Sequence, residues 1–196
     1  MATAVRKTTS EAKILATASE LFYENGLRGV GVDQVIAESG VSKSTLYAHF
    51  RSKEDLVSAY LRVTDVSWMA QLQEHAASAG ADPREQLVGL FDALLGAFDR
   101  HGFFGCPFIS AAVETSLDSE ARAITRAHIA SRQAWLTELA EAAGATSPTQ
   151  LARHIGLLID GALAGGRLEQ DRSIVEDGKA AARDAVGAAC PTQSPG

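Results

Sequence analysis

The sequence predicts an all-α protein: a three-helix helix-turn-helix domain at the N-terminus, joined by a shared long helix to a larger helical C-terminal domain. Three observations carry this. Apolar residues recur at helical spacing and strand-like alternation is absent. Capping residues and glycines cut the first 55 residues into short segments. Beyond Lys53 the segments become long and rich in Ala and Leu.

In the first segment, Thr8-x-x-Glu11 fits a capping box, in which hydroxyl and carboxylate each satisfy an orphan amide. Ile14, Leu15, Ala18, Leu21 and Phe22 follow on one face, and Gly26 stops the helix by taking the left-handed conformation at low cost. A second helix is expected over 33–39, with Val32, Val35 and Ile36 inward and Gly40 at its end. Ser42 caps a third over 43–49, with Leu46 inward and Phe50 just after. Ser52 caps a fourth, with Asp55 at the capping-box position. Long helices then follow over 53–77, 83–100, 119–143, 149–168 and 173–189. The Gly- and aromatic-rich segment 101–115 reads as a turn followed by a short helix. The expected domains are 1–55 and 56–190, with residues 191–196 a disordered tail.

Composition excludes several classes. With 46% apolar and 21% charged residues over 196 positions, the chain is an ordinary globular one, long enough to bury a core. Two cysteines, Cys106 and Cys190, fit neither a disulfide framework nor a zinc site, so no metal or cofactor is expected. A reducing cytoplasm is the natural setting. Residues 1–13 lack the apolar core of a secretion signal, and no run of about 18 apolar residues predicts a membrane span. The net charge of −6 is unevenly spread: residues 1–55 are neutral overall, and Val41–Lys53 carries Lys43, Arg51 and Lys53 with no acid. A basic patch on an acidic molecule suits a phosphate backbone. Composition alone does not separate this from a random solvated face.

The informative stretch is VDQVIAESGVSKSTLYAHFRSKEDL, residues 32–56. Two short helices flank Ser39-Gly40-Val41, the corner of a helix-turn-helix. The second is too short to stand alone and needs Leu46 and Phe50 beneath it, which leaves its other face for a major groove. That face is expected to hold Lys43, Ser44, Thr45, Tyr47, Ala48 and His49. Lys43 suits guanine acceptors or phosphate, Ser44 and Thr45 offer hydroxyls at a helix N-terminus, and Ala48 suits a thymine methyl. Tyr47 and His49 suit phosphate oxygens, and Lys53 grips a second phosphate at the start of the next helix.

The run from Ile36 to Leu56 resembles the signature of the TetR (tetracycline-repressor) family: a small residue and Gly before Val-Ser, then Thr-Leu-Tyr, His-Phe, Ser-Lys-Glu and Leu. The resemblance implies a DNA-reading helix over 43–49, with Tyr47, His49 and Lys53 on phosphates. It also implies a homodimer on a near-palindromic double-stranded operator, and a C-terminal domain for dimerisation and binding of a small molecule of unknown identity. Two departures are visible. Ser44 stands where the family often has Gly, and Val30-Gly31 where it often has a capping Thr.

Candidate ligand residues are Trp68, Phe91, Phe98, Phe104, Phe108, Glu114, His128 and Trp135, although a Phe at helical spacing fills a core more often than it lines a pocket. Dimerisation is expected through a stripe of Leu151, Ile155, Leu158, Ile159, Ala162 and Leu163 beside Ala164-Gly165-Gly166, with Ile174, Val175, Ala181, Ala182, Ala185 and Val186 on the last helix. The same stripes could bury within one chain. Two other readings stand beside this one. Cys106 near His101 invites an enzyme with a nucleophile and a base, but no third orienting group is evident. Gly161-x-x-x-Gly165-Gly166-Arg167 lacks the lysine and hydroxyl of a phosphate loop. A DNA-binding regulator with no small-molecule inducer, whether an activator or partner-regulated, would share the helix-turn-helix and differ only in its second part.

Overall fold

The computed structural model describes residues 2–100 and 102–191, with side chains from residue 9 onward. The described residues form ten α-helices and no strand. They divide into two compact units. One comprises the chain up to Val66 together with Pro107–Ala127, and the other comprises Ser67–Cys106 together with the chain from His128 onward. Residues 192–196, most of the expected tail, and His101 lie outside the described residues.

The first unit is built on α1 (Ala2–Gly29), α2 (Val32–Ser39), α3 (Lys43–His49), the first half of α4 (Lys53–Ser78) and α7 (Pro107–Glu114). Helix α1 begins before Thr8, so residues 8–11 lie inside a helix and not at its cap, and the Thr8 side chain is outside the described set. Gly26 breaks α1 at φ 75°, ψ 166°, and one further turn runs to Gly29. The inward face of α1 is the expected one: Ile14 and Ala18 are fully buried, and Phe22 packs on Tyr60 of α4 at 5.6 Å between ring centroids. Val35, Leu46, Leu56, Leu61, Phe108 and Ala111 complete this core.

The second unit contains α5 (Pro83–Gly89), α6 (Phe91–Phe98), α9 (Pro148–Glu169) and α10 (Ser173–Ala189), with the end of α4 and most of α8 (Glu120–Ala142). Asp82 caps α5 by accepting from the Arg84 amide at 2.9 Å, and Pro83 occupies the first helical position, where its missing N–H costs nothing. The single helix expected over 83–100 is divided at Leu90, where the Ala93 amide closes a tighter bond to the Leu90 carbonyl at 3.1 Å. Helices α9 and α10 form the most extensive pair. A Cβ at Gly178 would lie 3.2 Å from that of Ala162, so glycine permits their close approach. Leu151, Ile155, Ile159, Ala162 and Leu163 are buried within the single chain, as are Val175, Ala182 and Val186. The stripe expected to pair two chains is therefore largely intrachain core.

Candidate nucleic-acid interface

The turn between α2 and α3 is built by three residues. Gly40 adopts φ 64°, ψ 23°, and its N–H donates to the Ile36 carbonyl at 3.0 Å, closing α2. Ser39 is fully buried at the corner. Ser42 starts α3: its Oγ accepts from the Thr45 amide at 3.1 Å and lies 2.7 Å from the Thr45 hydroxyl and 2.9 Å from that of Ser44. Leu46 and Phe50 anchor the underside at 0% and 4% exposure, and the Phe50 N–H closes the helix on the Leu46 carbonyl. Gly31, at the N-cap of α2, provides no side-chain cap, as its sequence departure implies.

This anchoring leaves Lys43, Ser44, Tyr47 and Ala48 exposed, with Tyr47 at 43%. Thr45 is half-buried, its hydroxyl already bonded to Ser42. Lys43 pairs with Asp33 of α2 at 3.3 Å, both side chains well exposed. His49 departs from its expected place on the open face. Its side chain is only 4% exposed, with Nδ1 3.6 Å from the Glu11 carboxylate of α1 and its ring beside Phe50. The cause is spacing: three residues from Leu46, His49 shares the inward side of α3.

The start of α4 adds a second cationic point. Ser52 accepts from the Asp55 amide at 3.2 Å, while the Asp55 carboxylate reaches back to the Arg51 amide at 3.1 Å, one residue earlier than the expected box. The Glu54 carboxyl is held below its usual range, first by its own amide and then by the Ser52 hydroxyl. Lys53 is half-buried and Arg51 exposed. Among the described residues, neither side chain forms an ion pair or hydrogen bond. The sequence marks Arg51 as part of the acid-free basic run 41–53 but not among the expected contact residues. Both line an open cleft of about 520 Å³ with Leu27, Arg28, Ser58, Glu114 and Glu120. Arg62 and then Ser58 hydrogen-bond the Glu120 carboxyl and hold it below its usual range.

The expected ligand residues are divided between the two units. Phe108 and Glu114 belong to the first unit, on α7. Phe108 is fully buried, and the Glu114 carboxylate is engaged by Arg28, accepting from its amide at 2.7 Å. Trp68, Phe91, Phe98, Phe104, His128 and Trp135 lie in the second unit. Phe91 and His128 are fully buried there, Phe98 stacks obliquely on Phe103 at 4.9 Å, and Trp68, Phe104 and Trp135 are half-buried.

The family model for bacterial regulatory proteins of the tetR family matches residues 14–60, the span from the buried face of α1 to Tyr60. The chain is 34% identical over 89 residues to the HTH-type transcriptional repressor KstR2 of Mycobacterium tuberculosis, covering 45% of this chain and 44% of that one. It is 32% identical over 112 residues to the HTH-type transcriptional regulator LmrA of Bacillus subtilis, covering 57% and 60%. The matched part thus spans about half the length of these relatives. The crystal structure of a TetR-family transcriptional regulator from Streptomyces coelicolor superposes with a TM-score of 0.88 at 28% identity, over 94% of this chain and 97% of that one. Signature, helix-turn-helix geometry and family model agree that residues 14–60 form a DNA-binding domain of the tetR type, and the chain as a whole is similar to a TetR-family regulator.

Proposed function

We propose that the protein is a homodimeric, sequence-specific DNA-binding transcriptional regulator, a cytoplasmic repressor that a small-molecule ligand releases from a near-palindromic operator. The observation that carries this is the exposed outer face of a capped, anchored α3, beside two cations that have no ion-pair partner among the described residues. Lys43, Ser44, Tyr47 and Ala48 enter the major groove, with Lys43 exchanging Asp33 for a base or phosphate. Thr45 positions the helix start through Ser42. His49 holds α3 against α1 and is not itself a phosphate contact. Lys53 and Arg51 take backbone phosphates.

The dimer forms through α9 and α10. Leu157 and Leu168 are exposed at 64% and 84%, and with Gly161 and Ala164 they stand at offsets 0, 4, 7 and 11 on one face of α9. Two copies meeting there present two α3 helices to half-sites about 34–36 Å apart. The repressor named among the relatives supports the sign of regulation. A ligand that weakens DNA binding must bind less tightly to the DNA complex, by linkage.

A regulator without an inducer is the second reading, favoured by the complete burial of Phe91, Phe108 and His128, which is how a filled core looks. A thermal-shift screen separates the two, since a ligand stabilises the native state by mass action.

The primary test is selection of bound duplexes from a random DNA pool at moderate salt. Enrichment of an inverted repeat is expected. Salt-sensitive binding with no enriched sequence would overturn sequence-specific regulation.

A further inference from the structure

We propose that Glu114 is a positioning residue that fixes the corner between α1 and α2, and with it the recognition helix, to α7; this rests on the DNA-binding reading above. Glu114 is the last residue of α7, where the helix dipole is negative and a carboxylate is poorly placed. Its position is explained by what it grips. Its Oε2 accepts from the Arg28 amide at 2.7 Å, and the Arg28 Nε donates back to the Glu114 carbonyl at 3.2 Å. Two residues 86 apart in sequence therefore hold each other twice, side chain to backbone in each direction. The guanidinium also satisfies one of the carbonyls that a helix C-terminus leaves open.

Gly26 makes room for this grip. A Cβ there would lie 2.9 Å from Glu114 Oε1, and its φ of +75° is one that side-chain-bearing residues rarely adopt. Gly26 is the point at which α1 breaks, and Arg28 lies three residues before Gly31, the N-cap of α2. From that corner the path to α3 is short: Gly40, whose N–H closes α2 on the Ile36 carbonyl, makes the turn, and Val35 of α2 and Leu46 of α3 are both fully buried. Helix α7 is itself anchored. Phe108 and Ala111 are fully buried, the Phe108 carbonyl accepts from Thr125 of α8 at 3.5 Å, and the Ala112 carbonyl accepts from Arg122. Glu114 is where this support meets the base of the helix-turn-helix.

The test uses full-length protein with Glu114→Ala, Glu114→Gln and, as a control on the DNA face, Lys53→Ala. Amide exchange without DNA reads the grip directly, and affinity for the duplex enriched from the random pool reads its consequence. In Glu114→Ala, the Arg28 amide is expected to exchange about tenfold faster or more, as loss of a charged hydrogen bond implies. The Leu61 amide in α4 keeps its rate, which shows that the fold is intact. Operator affinity falls roughly tenfold, and Glu114→Gln restores most of it by keeping an acceptor in place. Unchanged Arg28 exchange overturns the proposal. So does unchanged affinity of Glu114→Ala when Lys53→Ala binds more weakly. If the pool yields no duplex, or neither variant alters binding, the DNA-binding reading itself fails and takes the positioning role with it.

Discussion

Arg132 of α8 and Asp160 of α9 face each other as a fork, Nη1 to Oδ1 at 2.8 Å and Nη2 to Oδ2 at 2.9 Å, with the arginine side chain 3% exposed and the aspartate 30%. A guanidinium this deep is tolerated only because the carboxylate is held in register with it. Its Nε has no acceptor among the described residues, so no second partner stands in reserve. Asp160→Ala leaves a buried cation uncompensated and should cost about 2–4 kcal/mol in urea unfolding. Replacing both residues by apolar ones of similar size, Arg132→Met with Asp160→Leu, should cost much less. A double variant as unstable as the single one would show that the pair is not what organises this contact.

On the proposed DNA face the predictions separate position from charge. Lys53→Ala should weaken binding by a similar factor on all sequences and lower the slope of log affinity against log salt by roughly one unit. Changes at Lys43 or Ser44 should alter which sequences are preferred. Asp33→Asn frees Lys43 from its ion pair and removes a negative charge from the face, so binding should tighten at low salt. Thermal stability should hardly move, since exposed pairs are worth about 0–1 kcal/mol. Weaker binding by Asp33→Asn would mean that Asp33 positions Lys43 instead of competing for it.

The cap of α3 should be measurable on its own. Ser42→Ala removes the acceptor for the Thr45 amide and the hydroxyl contacts to Ser44 and Thr45, and should cost about 1 kcal/mol. Ser42→Asp should restore much of that stability. With a helix of only seven residues, the same loss should appear as faster amide exchange across 43–49 before global unfolding.

This cap shows why the first 56 residues were legible. Ser42, Gly40, Ser52 and Gly26 act on amides and dihedrals within a few residues of themselves, and local rules are written in local sequence. The placement of His49 was also readable, since a residue three positions from Leu46 turns inward; its polar chemistry obscured that geometry. The role of Glu114 was not readable. Its partner lies 86 residues away, and an acidic residue near aromatics looks the same whether it binds a ligand or an amide. The apolar stripes of α9 and α10 are visible in the sequence as buried faces, but periodicity does not say which chain buries them, and most of the stripe expected to pair two chains is buried within one.

Cys190 gives a pH prediction. Burial pushes its thiol up, an effect that nearby Arg84 opposes and Asp82 reinforces. A thiol raised in the folded state stays protonated while the unfolded chain ionises. Its contribution to stability is therefore complete below the unfolded value near 8.5 and is lost as pH rises through the folded one. Stability should fall on the alkaline side, and Cys190→Ala should show a smaller fall. Native Cys190 should also react with a disulfide reagent far more slowly at pH 8 than it does in urea. Equal reactivity in both states would show that the site opens readily.

The proposed dimer surface can be broken without touching the core. Leu157 and Leu168 are exposed at 64% and 84%, and Gly161 between them has open space where a Cβ would stand. Burying these side chains against a second copy should stabilise association by about 25 cal/mol per Å² of apolar surface, before the cost of lost rotational and translational freedom. Gly161→Arg places a long cation at the middle of that face, where its partner copy places the same charge. Sedimentation should then show monomer where the parent chain is expected to sediment as a dimer. Circular dichroism should be nearly unchanged, since position 161 faces outward and arginine favours helix over glycine. Operator affinity should fall steeply, because two half-sites are no longer held by one particle. A Gly161→Arg protein that remains dimeric would place the interface elsewhere, and the Leu157 and Leu168 face would need another partner.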